Sequence, residues 1–193
     1  MATRKARWRP CDPSQVLKLA GDLFKHPIEK VGPSYRAYRA ILVVRSRATC
    51  CDIYGFGGDG FGAAEVLLGK VLKADPARRT RMVLATKGGI IPPAPYNSSR
   101  KYLIEACEAS LARLGVEQID LYQIHRPDLL APWEEVADAL ETLLADGKIG
   151  AAGVSNFSVA QTRALQAHLG PKLVSTQPEF SALHLAPLED GTL

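Results

Sequence analysis

Residues 119–125 read IDLYQIH, a short apolar run that ends in a histidine. Three other runs share this pattern of apolar residues followed by polar ones: RMVLATK (81–87), IGAAGVSN (149–156) and LVSTQPEF (173–180). Such runs are typical of buried strands, and here the polar residues stand where each strand ends. The sequence therefore predicts a series of buried strands with polar side chains at their carboxyl ends.

Helical patterns over 102–115, 132–147 and 158–170 separate these strands. Strands that alternate with helices in this way predict a parallel sheet with the helices packed outside it. For the first helix, the predicted N-cap is Ser98 or Ser99, and Gly115 is the predicted stop. The second helix is predicted to have Pro132 in its first turn and to stop at Gly147. The third begins with Ser158 and Gln161 in capping-box spacing.

A glycine pattern precedes the first of these strands, because Gly55, Gly57 and Gly60 fit the dinucleotide-binding spacing G-x-G-x-x-G. In an open doubly wound sheet, an acidic residue about twenty positions further on ends the next strand and binds the ribose. Asp75 has the required distance, but it stands in a turn, and the residue that ends the next strand is Lys87. The glycine pattern therefore does not predict an open dinucleotide-binding sheet.

Polar side chains stand at the end of every predicted strand, and this favours a closed barrel over an open sheet. An open sheet mainly uses the crevice at one switch point, whereas a barrel gathers the carboxyl ends of all its strands around one pocket. The fold class predicted is therefore α/β, a (β/α)8 barrel. The residues at the strand ends are Tyr54, Lys87, His125, Ser155, Asn156 and Gln177.

These residue types suit the reduction of a carbonyl group by hydride. A tyrosine has a pKa of about 10 and is a weak acid at neutral pH, but a buried ammonium such as that of Lys87 would lower the pKa of Tyr54 and allow it to donate a proton. His125 can donate to the same substrate oxygen. Amide and hydroxyl groups of the kind that Ser155, Asn156 and Gln177 carry can orient a carboxamide such as that of nicotinamide.

In their order and spacing, seven motifs resemble the aldo-keto reductase family, and its bacterial oxidoreductase branch most of all. The resemblance covers residues 52–193 and implies that about strands 2–6 of the (β/α)8 barrel are present. It also implies NADPH as cofactor, Tyr54 as proton donor, Lys87 as the residue that lowers its pKa, His125 as the substrate-orienting residue, and Ser155, Asn156 and Gln177 as carboxamide contacts. The motifs are DIYG (52–55), LATKGG (84–89), SLARLG (110–115), IDLYQIHRPD (119–128), DGKI (146–149), GVSNF (153–157) and TQPEFS (176–181).

The chain departs from the family pattern at two places that bear on activity. The family's catalytic aspartate lies five residues before the tyrosine, where this chain has Thr49, and Asp52 is expected on the opposite face. The chain ends at EDGTL (189–193), where family members continue with strands that complete the cofactor site. We therefore expect a truncated and severely weakened NADPH-dependent reductase of small aldehydes or ketones. The alternative is a non-catalytic barrel fragment that acts through self-association or a partner.

Composition divides the chain into a basic segment over 1–48 and a partial barrel over 49–193. The first segment has eleven Lys and Arg against three acidic residues, but these charges follow no helical stripe, so a nucleic-acid partner is not expected. The sequence contains no run of about 18 apolar residues, so it predicts no membrane span. The four cysteines lack metal-ligand spacing, which predicts reduced thiols, no metal and a cytoplasmic location.

Overall fold

The computed structural model describes residues 52–53, 60–91 and 96–192. The basic segment over 1–48, Thr49 and Tyr54 lie outside these residues, so the predicted domain boundary and the strand that would end at Tyr54 stay predictions. In chain order the elements are α1 (Ala63–Ala74), a 3₁₀ helix (Pro76–Arg81), β1 (Ala85–Gly88), α2 (Arg100–Leu114), β2 (Leu121–Ile124), α3 (Trp133–Ala145), β3 (Ala152–Ser155), α4 (Val159–His168), β4 (Thr176–Gln177) and α5 (Ala186–Glu189).

The four described strands form one sheet in the order β1-β2-β3-β4, and each neighbouring pair is parallel. In the register, Lys87 of β1 lies opposite Gln123 of β2, which lies opposite Gly153 of β3. A helix follows each of the first three strands, which is the connection that parallel neighbours require. The predicted parallel sheet with outer helices is confirmed.

The strands are shorter than the predicted runs, and one of them differs in its environment. β1 ends at Gly88, so Lys87 is its penultimate residue. The expectation of a fourth buried strand over 173–180 is wrong, because β4 has only two residues and both Thr176 and Gln177 are exposed. The apolar pattern there could not show this, since burial of a strand depends on which elements cover it.

The helix ends follow the predicted capping chemistry closely. Ser99 is the N-cap of α2 and accepts a hydrogen bond from the Tyr102 N–H, and Gly115 ends this helix in the left-handed conformation. Ser158 and Gln161 form both bonds of a capping box at α4. Pro132 lies one position earlier than predicted, as the N-cap residue of α3.

The hydrophobic core lies between one face of the sheet and helices α2 to α4. Leu103 and Leu114 of α2 and Leu140 and Leu143 of α3 are fully buried there, and Tyr122 of β2 is buried against them. Since burial of a leucine side chain contributes about 2 kcal/mol, these contacts fix the sheet against the helices. The opposite face carries the polar side chains of Lys87 and Gln123 towards the carboxyl ends of the strands.

A buried ion pair fixes α1 to β1 and α2. Glu65 of α1 has no exposed surface, accepts a hydrogen bond from the Thr86 hydroxyl at 2.5 Å and pairs with Arg113 of α2 at 2.7 Å. Thr86 precedes Lys87 and faces the helices, because side chains alternate along a strand. This network therefore determines where β1 places Lys87 on the other face.

Candidate active site

Side chains that alternate along the strands place most of the predicted site residues on one face of the sheet. Gln123 and His125 are two residues apart and share a face, and the register puts Lys87 opposite Gln123. Ser155 stands two residues after Gly153 on the same face, and Gln177 is its partner in β4. The sheet thus brings Lys87, His125, Ser155 and Gln177 to the carboxyl end of one surface.

Lys87 and His125 are both buried at this end, with 2% and 9% of their surface exposed. The His125 N–H donates to the Gly88 carbonyl at 2.9 Å, which places the histidine beside the residue that follows Lys87. Burial, then the Lys87 ammonium, then Arg126 lower the pKa of His125 from 6.5 to about 4. The imidazole is therefore neutral at pH 7 and can donate one N–H to a carbonyl oxygen.

Ser155, Asn156 and Gln177 are linked to each other by hydrogen bonds at the ends of β3 and β4. The Ser155 hydroxyl donates to the Gln177 carbonyl at 2.9 Å and accepts from Nδ2 of Asn156 at 3.1 Å. The Asn156 N–H donates to the same carbonyl of Gln177 at 3.1 Å. Gln177 is the exposed residue of this group.

Sequence reasoning missed a second group on this face, formed by Gln123, Gly153 and Ser175. Nε2 of Gln123 donates to the Ser175 hydroxyl at 3.1 Å and to the Val154 carbonyl at 3.3 Å. A Cβ on Gly153 would lie only 2.3 Å from Oγ of Ser175, so the close approach of this serine requires glycine. The alternation of side chains in residues 119–125 already puts Gln123 on the face of His125.

A cavity of about 580 Å³ opens beside the site. Its walls include Tyr96, Arg126 and Asn156, and the exposed side chains of Leu129 and Leu130 form part of its apolar surface. Asp128 also lines it, and both of its carboxylate oxygens accept backbone N–H groups, from Ser98 and Leu130. The cavity therefore offers polar and apolar contacts within reach of the strand ends.

Tyr54, the predicted proton donor, lies outside the described residues, and its nearest described neighbours are Asp52 and Ile53. The Asp52 N–H donates to the Lys87 carbonyl at 3.4 Å, so the chain two residues before Tyr54 runs beside β1. Burial is the main cause of the raised pKa of Tyr122, and the Cys107 thiol and Asp52 carboxylate add to it. Tyr122 faces the helices, and this supports the expectation that the Asp52 carboxylate lies on the face opposite Lys87.

Residues 52–53, 60–91 and 96–192 contain neither a cluster of metal-binding side chains nor a membrane-spanning helix. No three His, Cys, Asp or Glu side chains of these residues are grouped as a metal ion would require. None of the helices there has the length and hydrophobicity that a membrane span needs.

Known proteins resemble this chain in both sequence and fold. A 6-dehydroglucose reductase of Novosphingobium aromaticivorans is 57% identical over 143 residues, which are 74% of this chain and 47% of that protein. Another 6-dehydroglucose reductase, from Agrobacterium fabrum, is 39% identical over 151 residues, 74% of this chain and 49% of that protein. The chain thus spans about half the length of the curated relatives it matches.

Among solved structures, a thermostable aldo-keto reductase in complex with the inhibitor epalrestat superposes with a TM-score of 0.72 at 22% identity, over 95% of this chain and 56% of that chain. This likeness shows that the parallel sheet and its helices are part of a (β/α)8 barrel. The model of the aldo/keto reductase family matches residues 48–190, which is well over half of the chain. The chain therefore belongs to the aldo/keto reductase family.

Proposed function

We propose that this chain is an NADPH-dependent oxidoreductase of the cytoplasm that reduces an aldehyde or ketone to an alcohol, with Tyr54 as proton donor. The observation that carries the proposal is the burial of Lys87 and His125 on one face of neighbouring strands. The ammonium of Lys87 contributes to the low pKa of His125, about 4, so the two groups interact electrostatically. A neutral imidazole beside a buried cation is the environment that a carbonyl oxygen with developing negative charge requires.

Each of these side chains has one task in the proposed reaction. The Lys87 ammonium favours the phenolate form of Tyr54 and so makes its hydroxyl a better proton donor. The imidazole N–H of His125 donates to the substrate oxygen and fixes the carbonyl in front of Tyr54. NADPH supplies the hydride when it is bound.

The residues proposed to contact the nicotinamide carboxamide fit a group that both donates and accepts hydrogen bonds. Gln177 is an exposed residue, and its side-chain amide makes no hydrogen bond to another described residue. Ser155 is 97% buried, and its hydroxyl already makes two hydrogen bonds, one to the Gln177 carbonyl and one from Nδ2 of Asn156. We therefore propose that the side-chain amide of Gln177 contacts the carboxamide directly. Ser155 and Asn156 hold Gln177 in place through their hydrogen bonds to its carbonyl.

The substrate class we propose is a sugar in which one hydroxyl has been oxidised to a carbonyl. Two relatives that match 74% of this chain are named 6-dehydroglucose reductases. The cavity beside His125 has polar walls at Arg126, Asn156 and Tyr96, which can bind sugar hydroxyls. We expect an aldehyde of this kind to be a better substrate than a purely apolar aldehyde.

A second candidate function is a non-catalytic barrel fragment that binds another copy of itself or a partner. It is favoured by Thr49, which stands where the family has its catalytic aspartate. Two exposed features also favour it. The outermost of the described strands, β4, is exposed, and the nearby side chain of Leu183 is 98% exposed. Exposed strands and apolar side chains are common sites of association.

The two candidates are separated by following NADPH oxidation at 340 nm with 6-dehydroglucose as substrate. We expect a slow but measurable rate that falls by about 10²-fold or more in Tyr54→Phe and Lys87→Met. Lys101→Met is the matched control, because the side chain of Lys101 is 85% exposed on α2. Thr49→Asp should raise the rate, since it restores the carboxylate expected beside Lys87.

If the unchanged chain and the Tyr54→Phe variant oxidised NADPH at the same rate, the reductase proposal would be contradicted. Sedimentation of the same samples tests the second candidate. A stable dimer with no NADPH oxidation in either the chain or Thr49→Asp would favour association over catalysis.

A further inference from the structure

Asn156 has a backbone conformation that is unusual for a residue with a side chain. Its φ is 58°, and it is the one residue other than glycine with positive φ in residues 52–53, 60–91 and 96–192. Asparagine tolerates this left-handed region better than most residues, but the conformation still costs free energy of about 1 kcal/mol. Such a conformation persists where surrounding contacts impose it.

The side chain of Asn156 makes contacts to three separate segments. Nδ2 donates to the His125 carbonyl at 3.3 Å and to Oγ of Ser155 at 3.1 Å. Oδ1 accepts from the Glu179 N–H, two residues beyond β4, at 3.1 Å. The amide therefore joins the end of β2, the end of β3 and the chain after β4. We call this set of bonds the Asn156 clamp.

The clamp uses most of the hydrogen-bonding capacity of the side chain. A primary amide has two N–H donors and an oxygen that accepts two bonds. Both donors of Asn156 are used by His125 and Ser155, and one acceptor position is used by Glu179. The amide can therefore accept one further hydrogen bond from a ligand, but it has no free N–H to donate.

The clamp matters most at β4, because this strand has only two residues and little backbone pairing of its own. The Asn156 N–H donates to the Gln177 carbonyl, and the Ser155 hydroxyl donates to the same carbonyl. The position of Gln177 relative to His125 thus depends on bonds that pass through Asn156.

We propose that Asn156 is a positioning residue: its side chain links the His125 end of β2 to the segment after β4 and so fixes the His125 imidazole relative to Gln177. This role is separate from donation to a ligand. The clamp itself does not depend on the proposed reductase activity, whereas its consequence for carbonyl binding does.

The test uses Asn156→Gly, which removes the side chain and permits positive φ, with Ser158→Ala as control. Ser158 is also near the end of β3, but its bonds are confined to α4. In Asn156→Gly we expect the Glu179 amide to exchange with solvent about tenfold faster, measured by NMR. We also expect the His125 pKa, measured from its imidazole proton resonances, to rise from about 4 towards 6.5. Both quantities should be unchanged in Ser158→Ala.

Asn156→Asp gives an independent test in a side chain of the same shape. Its carboxylate still accepts from the Glu179 N–H, so the slow exchange of that amide should remain, while the bonds donated to His125 and Ser155 are lost. Fast Glu179 exchange in Asn156→Asp would contradict the assigned orientation of the amide. An unchanged His125 pKa in Asn156→Gly, with Lys87 and Arg126 in place, would overturn the positioning role even if Glu179 exchange increased.

Discussion

The burial of His125 makes the stability of the protein depend on pH in a defined way. The pKa is about 4 in the folded chain and 6.5 for an ordinary histidine, so the unfolded chain binds a proton here between these values and the folded chain does not. Stability therefore falls as pH decreases from 6.5 to about 4. Below that interval both states are protonated, and His125 causes no further change.

The size of this effect follows from the same two values. A tenfold change in proton affinity corresponds to about 1.4 kcal/mol, so the interval from 6.5 to about 4 corresponds to about 3 kcal/mol of unfolding free energy. His125 is only 9% exposed, so solvent screening reduces this figure little. Many domains have a total stability of about 5–15 kcal/mol, so the effect is measurable.

The assay is urea unfolding at a series of pH values for the chain and for His125→Gln, which cannot take up the proton. The difference between their unfolding free energies removes the contribution of carboxylates, which titrate in both. We expect this difference to be constant above pH 7 and to change by about 3 kcal/mol on the way to pH 4. Lys87→Met should reduce the change only in part, because burial is the largest cause of the low pKa. A difference that does not vary between pH 4.5 and 7 would refute the reasoning.

Three further changes test the packing around the site. Gly153→Ala should cost about 1–3 kcal/mol in urea unfolding, because the new Cβ would lie 2.3 Å from Oγ of Ser175 and 2.9 Å from its carbonyl oxygen; an unchanged midpoint would contradict that contact. Arg113→Met should cost about 3–5 kcal/mol, because it leaves the fully buried Glu65 carboxylate without its partner. Adding Glu65→Gln to that variant should recover stability, and a further loss would contradict the pairing. Ser158→Ala should cost about 1 kcal/mol by thermal unfolding through loss of the capping box, and no loss would show that the cap is dispensable.

The parts of the fold that depend on neighbouring residues in the sequence were predicted well. The capping box of Ser158 and Gln161 and the stop at Gly115 rest on interactions within one turn of helix, so their residue types and spacing are sufficient. The placement of Lys87 and His125 at strand carboxyl ends follows from the apolar run that precedes each of them. The parallel sheet with outer helices follows from the alternation of strand and helix.

The parts that depend on contacts between distant segments were not predicted. The exposure of β4 is set by the elements around it and not by its own apolar pattern. The group of Gln123 and Ser175 becomes visible only when the register brings residues 52 positions apart together. Likewise, the bonds of Asn156 to His125 and Glu179 depend on the folded positions of three segments, so the sequence does not predict them; its role as a cofactor contact stays a prediction.

We propose that the carboxyl ends of β1 to β4 form one site for NADPH and a carbonyl substrate. The most direct measurement is an NMR titration of the ¹⁵N-labelled chain with NADPH, in which the shifted amides are mapped onto the sequence. We expect saturable shifts centred on His125, Ser155 and Gln177. No shifts, or shifts centred on helix α1 around Lys70 and Lys73, would contradict this expectation.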